Sequence, residues 1–252
     1  MGKEVYPEGD WYEGEWKNGK KSGKGKFNYS TGGYYLGDWE DDDINGFGEL
    51  SLSEGDKYIG YFKNSKRNGK GKYLHKEGEY YDGDWVLNQK EGFGKFVHKE
   101  DSYYIGQWKS NKHHGQGKFM ISNGNYYDGE WIEGKIEGHG KYQYEKNAYF
   151  IGNWKNGKYQ GLGKLVFDDG RFYEGNWEVD KKDGKGKYQF PSGAYFEGSW
   201  KSDMKHGEGK YFWANGDFYE GLWIEDKKEG FGKLQFSNGS YYNGNWTGDM
   251  KN

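Results

Sequence analysis

The chain has no cysteine and only two prolines in 252 residues. Disulfides, iron–sulfur clusters and zinc–thiolate sites are therefore excluded, and a reducing compartment is the simpler expectation. No apolar run approaches the ~18 residues that a membrane-spanning helix needs. Met1-Gly2-Lys3-Glu4-Val5-Tyr6 lacks the apolar segment of a secretory signal. Gly2 suggests myristoylation, but Tyr6 stands where that signal needs Ser or Thr. Aliphatic residues are also scarce. Hydrophobic residues make up 32% and aromatics alone 21%, which leaves 11% for Ala, Val, Ile, Leu and Met. A conventional Leu/Val core is excluded on that ground. Neither sign of charge dominates: 37 basic residues stand against 40 acidic ones, for a net charge of −3. That is not the electrostatic footprint of a nucleic-acid binder.

What remains is glycine and aromatic residues. A mean hydropathy of −1.28 would by itself suggest disorder. The chain nevertheless carries 25 Tyr, 15 Phe and 12 Trp, which disordered chains do not. Its 46 glycines exclude long helices. Both excesses trace to one repeat. The pattern aromatic-x-Gly-x-Trp starts at Tyr12, Tyr35, Tyr58, Tyr81, Tyr104, Tyr127, Phe150, Tyr173, Phe196, Tyr219 and Tyr242, always 23 residues apart. With the aromatic start as position 1, position 3 is Gly in all eleven copies. Position 5 is Trp in ten, with Phe62 the exception. Positions 12 and 14 are Gly in all ten complete copies, and position 21 is Gly in eight. These sites hold 39 of the 46 glycines. The position 21 exceptions, Asp101 and Asn147, are of the types that best tolerate positive φ, so a left-handed turn is expected there.

Short, alternating, aromatic segments bracketed by Gly read as strands joined by turns. Each repeat is predicted to be a β-hairpin, and the array an all-β antiparallel meander of 21 strands in a single-layer, elongated and twisted sheet. At ~4.8 Å per strand it would span on the order of 100 Å. Positions 1, 5, 16 and 18 should share an aromatic face, with glycine leaving room for a ring to lie flat on the backbone. Rings that each bury 150–250 Å² would replace the aliphatic core. The other face carries Lys at position 15 in nine of ten copies, and acids such as Glu13, Asp82, Asp128 and Glu174 at positions 2 and 4. Cross-strand ion pairing is expected there. Positions 6–11 read as six-residue loops whose charge alternates, summing to +11 over odd repeats and −7 over even ones. A duplicated two-repeat unit and attraction between neighbouring loops explain this equally well.

Tyr-x-Gly-x-Trp, then Gly-x-Gly, then Gly-x-x-Tyr, in 23-residue register from Trp11 to Trp246, resembles the MORN repeat (membrane occupation and recognition nexus). Lys57, Phe62, Asp101 and Asn147 depart from its pattern. The resemblance implies a non-catalytic scaffold, with relatives in ciliary radial spokes, cytoskeletal structures, membrane junctions and beside lipid kinases. With no kinase, methyltransferase or transmembrane segment attached, the chain looks like the small MORN-only members, several of them axonemal or cytoskeletal. Residues 1–10 are expected to be a leader, 11–246 the array and 247–252 a tail.

No Walker loop is present, because no Gly-Lys pair is followed by Ser or Thr at the right spacing. The six histidines show no ligand spacing, and His75 and His98, both at position 18, are expected to fill the aromatic face. A repeat gives every carboxylate a similar environment, whereas acid–base catalysis needs contrasting ones. No catalytic residue, metal or cofactor is expected. Partners should be other proteins of a large assembly in the cytoplasm, cytoskeleton or ciliary axoneme, and not nucleic acid. The alternative is a peripheral membrane or phosphoinositide adaptor, which the balance of Lys and acid disfavours. Candidate partner residues on the aromatic face are Tyr127, Trp131, Trp154, Tyr173, Trp177, Trp200, Tyr219 and Trp223. The last strand, Ser240–Trp246, should lack a hairpin partner and offer Tyr241, Tyr242 and Trp246 to a second copy or another protein by strand addition.

Overall fold

Glycine at positions 3 and 14 sets how closely the two strands of a repeat meet. In the computed structural model, which describes every residue except Glu145, these glycines face each other, as in Gly83↔Gly94. A Cβ on Gly83 would lie 2.5 Å from the Gly94 Cα, so no other residue fits. The ring of Tyr81 lies over the pair, and a Cβ on Gly94 would lie 2.4 Å from its hydroxyl. Pressed against bare backbone, each position 1 Tyr donates its hydroxyl to the position 4 carbonyl of its own strand at 2.8–3.3 Å. The position 5 Trp reaches the other way. Its Nε1–H donates to the position 14 carbonyl of the preceding repeat at 2.9–3.2 Å, as from Trp39 to Gly25. Within a unit, position 1 rings meet their own Trp and the next repeat's Trp edge-on, as Tyr12 does Trp16 and Trp39, both at 5.2 Å. This is the favoured aromatic geometry. Phe62 keeps the edge contact to Tyr35 at 5.4 Å, without the indole N–H.

The described chain is all-β, apart from one short 3-10 turn at Lys99–Asp101. It divides into two compact units: Met1–Asn123 with Trp131–Gly134, and Gly124–Glu130 with Lys135–Asn252. Within the first, strands from Gly2–Val5 to Lys112–Met120 pair antiparallel with their neighbours in chain order. Within the second, strands from Lys135–Gln143 to Met250–Lys251 do the same.

The turn at position 21 takes positive φ as expected, from Gly32 (98°) to Gly239 (90°). Asp101 joins it at 61°, beside Glu100 at 63°; Asn147 is not among the described residues with positive φ. Positions 6–11 differ from the expected six-residue loops. Only positions 7 and 8 turn, and both have positive φ, as in Asn18–Gly19, Asn64–Ser65 and Ser202–Asp203. This is the two-residue hairpin turn whose twist matches that of the flanking strands. Strand pairing resumes at once, with Lys17 opposite Lys20 and Glu178 opposite Lys181. Even Leu87 and Val179, both at φ 48°, accept the left-handed region. Their turns are held from outside. The position 8 N–H donates to the position 10 carbonyl of the preceding repeat, and the position 8 side chain accepts from the position 10 N–H. Asp203 makes this pair of bonds to Lys182 at 2.9 and 3.0 Å.

Both ends follow the repeat register. Residues 2–5, expected to be leader, form a strand with Gly2 opposite Gly14, and Lys3 lies over Trp11 as position 15 lysines do over position 23 rings. Residues 247–252, expected to be tail, supply a hairpin turn at Gly248–Asp249 and a strand at Met250–Lys251. The strand Tyr241–Thr247 therefore has a hairpin partner, contrary to expectation: Trp246 pairs with Lys251 and Thr247 with Met250.

Two substitutions test these constraints in denaturant unfolding. Gly83→Ala forces backbone against backbone and is expected to cost about 3 kcal/mol or more. Val179→Asn relieves a β-branched residue at positive φ and is expected to stabilise by about 1 kcal/mol.

Candidate partner-binding surfaces

The structure places the rings singled out on the aromatic face inside the core. Tyr127, Tyr173 and Tyr219 are 0–1% exposed, and Trp131, Trp154, Trp177, Trp200 and Trp223 are 3–7% exposed. They cover one another, so they offer a partner almost no surface. Of the three residues on the last strand, Trp246 is equally buried, while Tyr241 is 66% exposed. Among the described residues no group of three or more His, Asp or Glu could hold a metal ion, and no helix is long and apolar enough to cross a membrane. His75 instead pairs with Asp56 at 3.3 Å, and His98 packs on Phe96.

The aromatic face has a second layer, formed by position 10: Lys21, Ile44, Arg67, Lys90, His113, Ile136, Tyr159, Lys182, Lys205 and Lys228. The cationic and aromatic ones sit over the rings of their own repeat and the Trp of the next. Arg67 lies 4.4 Å from the Trp85 ring centroid, Lys90 4.2 Å from Phe96, and Lys182 4.5 Å from Trp200. His113 and Tyr159 stack flat on Tyr104 and Phe150, each at 3.7 Å. Cations over ring faces are attracted, more strongly once desolvated. In the later repeats they also have an acid. Lys182, Lys205 and Lys228 approach Asp203, Asp226 and Asp249 at 4.0, 3.6 and 3.4 Å. In the middle repeats they do not. Arg67 hydrogen-bonds Asn88, and the residue stitched to Lys90 is Asn111. Burial, reinforced by the Arg67 charge, pushes the Lys90 ammonium down to about 8. Burial, with His98 and Lys90 nearby, pushes His113 down to about 4.

The opposite face pairs charge with rings more than with acids. Position 15 lysines lie over position 23 rings, as Lys72 over Tyr80 at 4.0 Å and Lys187 over Tyr195 at 4.1 Å. The expected cross-strand ion pairs occur alongside, including Lys164–Glu174 at 3.0 Å and Lys210–Glu220 at 3.3 Å. One repeat swaps the arrangement: Glu49 at position 15 and Lys57 at position 23 form an ion pair at 2.8 Å. The Lys57 ammonium and the Tyr34 hydroxyl hold the Glu49 carboxyl below its usual value. In the second unit this face forms a groove of about 1700 Å³, lined by positions 2, 4, 13 and 15. Its charged residues balance, with Lys164, Lys185, Lys187 and Lys210 against Glu174, Glu197, Glu208 and Glu220. Between them stand Ile151, Leu162, Leu222 and Phe231, of which Leu162 is 64% and Phe231 65% exposed.

The MORN-repeat family profile matches ten successive segments, from residues 12–34 to 219–241. The chain belongs to the MORN-repeat family. No curated protein matches it. Among solved structures it is similar to the TCP10 domain of Danio rerio CPAP, at 11% identity over 78% of this chain and 93% of that one, with a TM-score of 0.44. It is also similar to the Drosophila melanogaster SAS-4 TCP domain in complex with a proline-rich motif of Ana2, at 15% identity over 80% of this chain and 90% of that one, with a TM-score of 0.28. Neither likeness bears on what this chain binds.

As a MORN array the chain is a repeat scaffold, and its Tyr, Trp and Gly signature is framework. The residues left to face a partner are those the signature leaves open. Position 10 was hidden in a segment read as loop. One signal for it existed: it has the same parity as positions 14 and 16 and so belongs to the aromatic face. The signal for the groove is the exposed apolar pair at position 13 of the second unit, Leu162 and Phe231, which strict ion pairing on that face does not explain.

Lys90 gives a pH signature. Its pKa is about 10.4 unfolded and about 8 folded, so the unfolded chain binds more protons between these values. Lys90 therefore penalises the fold fully below pH 8, and the penalty fades by pH 10.5. Lys90→Met is expected to raise stability at pH 7 by about 1–3 kcal/mol. The gain should shrink across that window in urea melts at stepped pH.

Proposed function

We propose that this chain is a non-catalytic scaffold that holds an amphipathic segment of a partner protein in the groove of its second unit. The observation that carries this is the interleaving of exposed apolar residues with equal numbers of Lys and Glu along one trough. From His139 to Phe231 the lining advances four repeats, roughly 35–40 Å at ~4.8 Å per strand. That length suits a helix of about 25 residues. Exposed apolar residues ringed by charge mark interaction sites, and balanced charge selects a segment that itself carries both signs. Nucleic acid and an anionic membrane surface would each call for a net basic lining. Family resemblance supports a cytoskeletal or ciliary assembly, such as a radial spoke head, as the setting.

The test is purification from the native source with partner identification by mass spectrometry, comparing the natural chain with Leu162→Asp/Phe231→Asp. Both side chains are exposed, so the fold should survive. The proposal expects the doubly substituted chain to lose a stoichiometric partner that a Val86→Asp control retains. Retention by both, or salt-resistant co-flotation of the natural chain with anionic liposomes, would overturn it.

A further inference from the structure

The position 10 ladder contains a break. Each cation at this position lies over aromatic rings, partly desolvated, and the register offers it a partner at position 8 of the next repeat. For Lys21, Lys182, Lys205 and Lys228 that residue is an aspartate: Asp42, Asp203, Asp226 and Asp249. For Arg67 and Lys90 it is Asn88 and Asn111, in the same place and making the same side-chain bond to the position 10 N–H at 2.8 and 2.9 Å. Two neighbouring cations, about 10 Å apart by strand spacing, thus lack the acid found at equivalent positions. Around them the first unit supplies imidazoles. His98 packs on Phe96, the ring beneath Lys90, and its Nε2 is buried with no hydrogen-bond partner among the described residues. His113 follows Lys90 in the ladder, stacked on Tyr104. Glu79 is the carboxylate whose charge bears on both Lys90 and His98.

We propose that Arg67 and Lys90, flanked by His98 and His113, receive an acidic segment of a partner protein, whose carboxylates supply the counter-charge that Asp203, Asp226 and Asp249 supply internally. The guanidinium fork of Arg67 matches a carboxylate. A Lys over rings gains most from an anion that arrives with little competing water. Burial, reinforced by the neighbouring Arg67 charge, holds the Lys90 ammonium below its usual value. The site lies on the aromatic face of the first unit and does not depend on the groove.

The probe is fluorescein-labelled hexaglutamate, titrated by anisotropy at 100 and 300 mM NaCl, with hexalysine as control. The natural chain should bind hexaglutamate, more weakly at 300 mM, and should not bind hexalysine. Asn88→Asp/Asn111→Asp restores the internal acids without changing shape, and should weaken binding at least tenfold while raising the Lys90 pKa in NMR titration. Lys90→Met should weaken it similarly, and Lys205→Met, at an acid-paired position, should leave it unchanged. No binding by the natural chain, or equal binding by Asn88→Asp/Asn111→Asp, would overturn the proposal. So would inorganic phosphate binding the site and displacing the peptide beyond the effect of equal ionic strength from chloride, since the site would then be one for small anions.

Discussion

The structure depends on the contact between the paired glycines of positions 3 and 14. Two backbones meet there with no side chain between them, and one Tyr or Phe ring covers both. The ring is fully buried without a second layer of sheet or helix, because bare backbone on one side and neighbouring rings on the other remove it from water. This is how a chain of mean hydropathy −1.28 acquires a core. The burial is aromatic and local, and needs few residues per repeat.

Among the described residues, the other recurring bonds tie a repeat to itself or to its immediate neighbour. Tyr bonds within its own strand, Trp reaches back one repeat, and the position 8 residue clasps position 10 of the repeat before it. The stability of such a chain is a sum of within-repeat and nearest-neighbour terms. A weak element can then be carried by what adjoins it. Val179 holds a positive φ because Asp180 beside it is bound to Tyr159 by both backbone and side chain. Phe62 omits the indole hydrogen bond, yet stays packed between Tyr35 and Tyr58.

Much of this was legible in the sequence. The 23-residue period located the strands. The invariant glycines marked where rings lie on backbone, and glycine or aspartate at position 21 marked a left-handed turn. Position 10 was not legible, because its residues look like solvent: Lys, Arg and His in a polar stretch read as loop. They belong to the aromatic face because their aliphatic stems and flat groups lie along rings while their polar ends reach outward. The tight turn at positions 7 and 8 was hidden for a related reason. Leu87 and Glu133 are not turn residues by preference, and the conformation is imposed by the neighbouring repeat. The ends were misread because half a repeat lacks the Tyr…Trp mark that identifies a whole one, although Gly2 and Lys251 keep its register.

The same division separates scaffold from recognition. Residues that recur in all or nearly all copies are consumed by the fold: Tyr in its hydroxyl bond, Trp in its indole bond, Gly in the close approach. They are buried, and they cannot tell one ligand from another because every repeat presents them alike. Discrimination falls to positions the framework leaves free. Positions 2, 4 and 13 point away from the core and vary among apolar, cationic, acidic and amide residues. Position 10 ranges from Ile to Arg, over a bed of rings that does not change. At that position a change as small as Asn for Asp in the next turn leaves the hairpin intact and alters only whether a desolvated cation has its anion. In such an array, local chemistry varies without cost to the backbone, and this is the physical condition for a repeat protein to be specific.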